Sequence, residues 1–455
     1  MRKVLIANRG EIACRVARAC CKLGLSSVAV YSEADEGALH VELADEAFSI
    51  GPPEARESYL RADKLLEVAQ RSGADAIHPG YGFLSERAAF AEAVKGAGLT
   101  WIGPSAKNIA DMGDKERART LAAASGVPVV PGSGRLAGSD LHGLEDAAAA
   151  VGYPLLVKAS AGGGGIGMRR VDNPSGLRAT ALATQSMAAK AFGDGSIYLE
   201  RYLALARHVE VQVFGFGNGR AVHFHERDCS TQRRFQKVIE EGPAPGLPEA
   251  TRLRMAEAAL RLCASQRYEG AGTVEFIVDA TTFEFYFLEM NTRIQVEHPV
   301  TEMNTGYDLV ALQMDFARGA ITALDQGAIP FQGHAIECRI YAENPARHFM
   351  PSPGKLERFR LPAGSPDVRI DSGYREGDRI THFYDPLIAK VICHGADRAK
   401  AIARMMEALA DTDIAGIATN VSFLRSTLGH RRFRDGDVST AFVDNCKREL
   451  IADAV

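Results

Sequence analysis

A carboxylate in the middle of an apolar strand is the feature that most restricts how this chain can fold. Glu275 interrupts the run Thr-Val-Glu-Phe-Ile-Val at 273–278, and a lone buried charge is costly unless something pairs with it. A short distance on, the aromatic stretch Phe285–Leu288 runs into Glu289-Met-Asn291. Alternate residues of a strand share a face, so Glu289 and Asn291 point the same way. A hairpin that folds 283–290 back along 273–278 sets Glu289 near Glu275. Two adjacent carboxylates repel, and a divalent cation joining them is the simplest resolution. Such oxygen ligands suit magnesium or manganese, which keep waters and substrate phosphates in their shells.

The next residues extend the same chemistry. Arg293 and Gln295 follow at spacing two, and Glu297 comes after them. A cation, a neutral donor and a carboxylate so close together suit the binding and deprotonation of a small oxyanion. Upstream, Lys158-Ala-Ser-Ala leads into Gly162, Gly163, Gly164 and Gly165, then Ile166, Gly167 and Met168. Consecutive glycines lose much backbone entropy on ordering. They also let backbone N–H groups close on a polyphosphate. The lysine precedes the glycines and no G-K-[ST] follows, so this is not a Walker A loop. Lys115, in Met-Gly-Asp-Lys, opens a helix and gains weight only from these companions. His208 and Glu210 alternate with apolar residues on a half-buried strand, where a structural histidine and a ligand contact stand equally open. A charge-dense run such as Glu226–Lys237 is usually a solvated face, but an ordered-looking turn follows this one, and Lys237 is a candidate point charge for an anion.

Bulk properties bound the rest. A chain of 455 residues exceeds one hydrophobic core, so several domains are expected. The net charge of −4 gives no basic footprint for nucleic acid, and no apolar run reaches the ~18 residues of a membrane span. The eight cysteines show no C-x-x-C spacing and read as reduced, mostly buried thiols of a cytoplasmic protein. Strands and helices alternate over 1–103, with strands at Lys3–Ala7, Ser27–Tyr31, Ala76–His78 and Thr100–Ile102, which predicts a parallel α/β sheet domain. Residues 104–130 read as a helical linker and 131–201 as a compact lid carrying the glycine-rich loop. Residues 202–447 read as a larger, strand-rich domain. The fold class is therefore multidomain, α/β followed by α+β.

Together these strings resemble the ATP-grasp ligases and, within them, the biotin carboxylase subunit or domain of biotin-dependent carboxylases of the acetyl- or acyl-CoA type. The resemblance rests on His78-Pro-Gly-Tyr-Gly-Phe-Leu-Ser-Glu86, the Lys158 glycine loop and Arg227-Asp-Cys-Ser…Gln-Lys237. It rests also on Glu289-Met-Asn-Thr-Arg-Ile-Gln-Val-Glu-His298, Glu337-Cys-Arg-Ile340 and Pro351-Ser-Pro-Gly354, and covers Lys3 to about residue 445. It implies that Lys115, Lys158, Gly162–Gly165 and Met168 contact ATP, with Glu200 and Leu203 bordering the adenine and His208 and Gln232 the ribose side. It implies magnesium or manganese, two ions, on Glu275, Glu289 and Asn291. Bicarbonate would lie on Lys237, Arg293, Gln295 and the Val296 backbone, with Glu297 as its base. Tyr81 and Arg339 would face biotin. The implied reaction is ATP-dependent carboxylation of carrier-borne biotin through carboxyphosphate, the first half-reaction of an acetyl-CoA or acyl-CoA carboxylase. The implied partners are a biotin carboxyl carrier protein or domain, a carboxyltransferase subunit and a second copy in a homodimer. Phe235, Arg201 and Ile166 depart from the common pattern near the nucleotide.

Two other functions use the same fold: a carboxylate–amine ligase acting through an acylphosphate, and a non-catalytic nucleotide-binding regulator. The trio Arg293, Gln295 and Glu297 suits bicarbonate better than a bulky acid, and a regulator would have lost Glu297 or the metal carboxylates. A nicotinamide-dependent oxidoreductase is disfavoured, because Asn8-Arg9-Gly10-Glu11 after the first strand is not a G-x-G-x-x-G. No Ala-Met-Lys-Met type turn occurs in the 455 residues, so the chain is expected to take biotin from a separate carrier.

Overall fold

A computed structural model describes residues 1–138, 141–160 and 167–452. Its first sheet is parallel throughout, in the order Glu46–Gly51, Ser26–Ser32, Lys3–Ile6, Ala76–His78, Thr100–Trp101. The helix Gly10–Lys22 buries Ile12, Val16 and Ala19. The edge strand Glu46–Gly51 is an addition to the predicted set; most of it is only half-buried, so it carries no strong apolar signature.

Loop geometry at the carboxyl ends of these strands fixes the next motif. Gly80 adopts φ +63°, and a Cβ there would meet the Asn8 side-chain nitrogen at 2.8 Å. That nitrogen donates to the carbonyls of Pro79 and Tyr81, both at 2.7 Å. The turn after the first strand thus clamps the His78–Glu86 loop, and only glycine permits the approach.

Between the helix Lys115–Ala124 and residue 201 lies a separate three-stranded antiparallel sheet, Met168–Val171, Leu155–Ala159, Ile197–Arg201. It has its own small core, including Leu144, Val157, Ala181 and Leu199. The calls on Gly162, Gly163, Gly164 and Gly165 lie outside the described residues.

The remainder is dominated by an eight-stranded antiparallel sheet. Its order is Phe285–Asn291, Glu269–Asp279, Ala206–Phe216, Ala221–Arg233, Gln236–Gly242, His334–Tyr341, Leu387–Gly395, Val368–Ser372. Its strands segregate chemistry by face, as strand alternation requires. On His334–Tyr341, Ile336, Cys338 and Ile340 enter an apolar core with Met405, Phe423 and Phe442. Glu337, Arg339 and Tyr341 occupy the other face, towards the helix His298–Thr305. All eight cysteines are free thiols, seven of them buried. Among the described residues no helix is long and apolar enough to cross a membrane.

Three fully buried imidazoles give the fold a pH signature. Burial pushes His40 and His78 down to about 4 and His298 down to about 3. An unfolded chain binds those protons near ~6.5, so between about pH 6.5 and 4 the unfolded state holds more protons than the native one. Stability therefore falls as pH drops through that window. The thermal midpoint should decline from pH 6.5 to 4, and more shallowly in His78→Gln; an equal slope in that variant refutes the assignment.

Candidate active site

The two carboxylate strands pair as their sequence predicts, with Glu275 directly opposite Glu289 and a register irregularity immediately after Glu275. On its other side Glu275 faces Glu210, and Glu210 in turn faces Arg227. One row across four strands therefore reads Glu289, Glu275, Glu210, Arg227, three carboxylates and a single guanidinium. Such a row folds only with added positive charge. Lys237 supplies it from the next strand, its ammonium lying 2.7 Å from Glu210, 2.9 Å from Glu275 and 2.6 Å from Glu297.

Arg227 is fully buried and anchors the row. It donates from Nε to Glu210 at 2.8 Å and from Nη1 to Gln212 at 2.9 Å and Thr301 at 2.7 Å. Its Nη2 reaches the Gln295 side-chain oxygen at 2.9 Å. The other end of Gln295 donates to Glu275 Oε1 at 2.8 Å. This corrects the reading of 226–237 as a solvated face. Glu226 to Arg233 is the buried second half of a strand, because each charge meets a partner distant in sequence. Only the turn residues Arg234 and Phe235 are exposed, Phe235 to 67%.

The predicted ligands gather around Glu275. Asn291 donates to its Oε1 at 2.7 Å, and His208 Nε2 lies 2.8 Å from its Oε2. Burial opposes ionisation of Glu275, but Lys237 and His208 outweigh it and hold the carboxyl well below the usual range. The Glu289 side chain has no hydrogen bond or ion pair among the described residues, and burial together with Glu275 raises its carboxyl. Lys115, exposed at the start of its helix, is the first cation to offset that. An under-neutralised carboxylate facing a second one, with an amide oxygen two residues away, is a donor set that fits a hard divalent cation.

Glu297 lies at the far side of Lys237. Its second oxygen is 2.9 Å from Arg339 Nη2. Burial opposes its ionisation, but Lys237, Arg339 and Arg227 together hold the carboxyl well below the ordinary range. Arg293 turns towards Glu86 at 2.9 Å and Asn291 at 2.7 Å, so the His78–Glu86 loop reaches the site through Glu86. The Val296 carbonyl accepts from the buried Lys390 at 2.6 Å. Tyr81 donates to Glu11, and burial with Glu11 lifts its hydroxyl well above the usual range.

The nucleotide candidates form a second group. Lys158 lies 2.6 Å from Glu200, which also takes Arg119 at 2.9 Å, and Met168 is the register partner of Lys158. Gln232 is the register partner of Lys237. Leu203 follows the strand Ile197–Arg201 and is half-buried, with no tie to the other candidates. The residue-by-residue reading gave no role to Arg227, Glu86 or Arg119. For Glu210 the signal was present in the alternation His208-x-Glu210, but its partners come from strands far away in sequence.

Comparison with known proteins identifies the family. Three family models match: "Biotin carboxylase, N-terminal domain" over residues 1–109, "Carbamoyl-phosphate synthase L chain, ATP binding domain" over 114–324, and "Biotin carboxylase C-terminal domain" over 337–445. Biotin carboxylase 1 of Bacillus subtilis (strain 168) is 49% identical over 98% of this chain and 98% of its own length. The mitochondrial methylcrotonoyl-CoA carboxylase subunit alpha of Glycine max is 49% identical over 99% of this chain, which spans 62% of that longer relative. The biotin carboxylase domain dimer of the Hydrogenobacter thermophilus 2-oxoglutarate carboxylase, solved with MgADP, ADP and bicarbonate, superposes with a TM-score of 0.90 at 43% identity, covering 99% of this chain and 98% of that one. The chain belongs to the biotin carboxylase family of ATP-grasp enzymes.

Proposed function

We propose that this chain carboxylates biotin at the expense of ATP, using bicarbonate and giving carboxybiotin, ADP and phosphate. The observation that carries the reading is Glu297: a buried carboxylate between Lys237 at 2.6 Å and Arg339 at 2.9 Å, beside Gln295 and Arg293. That is a pocket for a small anion with a base built into it. Bicarbonate on Lys237, Arg293, Gln295 and the Val296 backbone gives its proton to Glu297 and attacks the γ-phosphate of ATP. Lys115 and Lys158 take the phosphates, and Lys158 exchanges Glu200 for them. Glu275, Glu289 and Asn291 hold magnesium or manganese, which neutralises charge on the transferred phosphoryl group. Residues 131–201 close as a lid and keep water from carboxyphosphate.

Carboxyphosphate gives carbon dioxide and phosphate; phosphate takes the biotin N1 proton, and Arg339 steadies the oxygen that gains charge on the ureido ring. Tyr81 borders the ring. Biotin arrives on a carrier protein or domain, a carboxyltransferase subunit consumes the carboxybiotin, and the chain works as a homodimer, in keeping with the domain dimer of the Hydrogenobacter thermophilus relative. Eight free thiols suit a reducing compartment, and we place the protein in the cytoplasm.

ADP release in the presence of magnesium tests the proposal. It should require bicarbonate and rise with biotin, and rise further with a biotinylated carrier. Equal release in bicarbonate-free buffer would refute it.

A further inference from the structure

The sheet face beneath Glu297 carries two carboxylates to which the proposed reaction gives no task. Glu240 and Glu337 stand directly opposite each other across Gln236–Gly242 and His334–Tyr341, and both are fully buried. Neither oxygen of Glu337 has a hydrogen-bond partner among the described residues, and Glu240 meets only the Arg339 guanidinium. The cation in reach is Arg339, two residues from Glu337 on the same face. Its Nη2 lies 2.5 Å from Glu240 Oε1 and 2.9 Å from Glu297 Oε2, so two acids share one nitrogen.

The other cations nearby are divided among several groups. Lys390, the register partner of Arg339, acts on Glu337 through space, while its ammonium donates to the Val296 carbonyl at 2.6 Å and lies 3.3 Å from Glu11 and 3.8 Å from Asp371. Lys237 is held by Glu210, Glu275 and Glu297. Cys229 faces Glu240 from Ala221–Arg233, and Tyr341 faces Arg339 from its own strand. On the helix packed over this face, Glu302 is held by Arg15 and Arg369, and His298 by the Gln295 carbonyl at 2.7 Å. Facing carboxylates with a fraction of one guanidinium between them do not both ionise.

We propose that Glu240 and Glu337 share one proton and act as positioning residues for Arg339, setting how firmly its guanidinium is held away from Glu297. This inference rests on the function proposed above. With Glu240 ionised, Arg339 is drawn towards it, and Glu297 is relieved of one of the cations that depress its basicity. With both acids protonated, Arg339 belongs to Glu297 alone, and the base for bicarbonate is at its weakest. The energetics agree: burial, with Glu297 adding to it against Arg339, pushes Glu240 up to about 7. Burial, with Glu240 adding to it against Lys390, lifts Glu337 well above the carboxylate range.

Infrared spectroscopy of the full chain without substrates reads the proton directly. Near neutral pH the unaltered protein should show a protonated carboxyl C=O band that Glu337→Gln removes and that Glu240→Gln, on the opposite strand, alters. A band unchanged in both folded variants overturns the shared proton. In steady-state assays the acid limb of biotin-dependent turnover should persist in Glu337→Gln, where Glu240 still titrates beside a permanently neutral neighbour. In Glu240→Gln that limb should vanish, with kcat lowered about 10–100-fold and the KM for ATP unchanged. A Glu240→Gln variant that loses stability while the limb stays in place would make the pair merely structural. If ATP cleavage proves independent of bicarbonate, the proposed function falls, while the infrared band still decides the shared proton.

Discussion

Glu297→Gln should lower bicarbonate-dependent ADP release by about 10²–10⁴-fold, the usual contribution of a positioned general base. The variant keeps the size of the side chain and its hydrogen-bonding reach, so Lys237 retains Glu210 and Glu275, and Arg339 retains Glu240. The melting temperature should therefore move far less than the rate. The measurement is turnover at saturating ATP and bicarbonate beside a thermal melt of the same preparation. A rate within tenfold of the parent, with full bicarbonate dependence, removes Glu297 from its role as base.

The second large effect is on the fold. Arg227→Met leaves Glu210 buried with only Lys237 beside it, and strips partners from Gln212, Thr301 and Gln295. Removing one partner of a buried, hydrogen-bonded ion pair costs about 3–5 kcal/mol, much of a typical domain's net stability. Denaturant unfolding should show the loss as a lower midpoint, and activity should fall with it because Gln295 loses its anchor. A variant with an unshifted midpoint would mean that the guanidinium is replaceable by packing alone.

Sequence and structure agree most closely where chemistry is local. Glu275, Glu289 and Asn291 lie on two strands joined by a short turn, so alternation alone places the carboxylates together. The helix Ala62–Ser72 shows why: it has a clear apolar stripe in Leu65, Val68 and Ala69, and Gly73 in the left-handed region after its last turn. Where partners lie far apart in sequence the pattern misleads. The run 226–237 looks solvated because nothing local reveals that Arg227 meets Gln295, Arg207 meets Asp228 and Arg233 meets Glu343. The strand Glu46–Gly51 lies at a sheet edge and is mostly half-buried, so it shows neither a continuous apolar run nor clean alternation. Glu240 and Glu337 read as ordinary polar residues until the register sets them face to face.

The division of the long sheet into an apolar face and a charged face also bears on how the chain finds its register. Slipping one strand by a single residue exchanges its two faces. For His334–Tyr341 such a slip drives Glu337 and Arg339 into hydrocarbon while lifting Ile336 and Ile340 among the charges. A misaligned strand is thus penalised by the same charges that line the candidate site. The chemistry of the site proofreads the folding of the protein, and a chain that has paired its strands correctly has assembled the site in the same event.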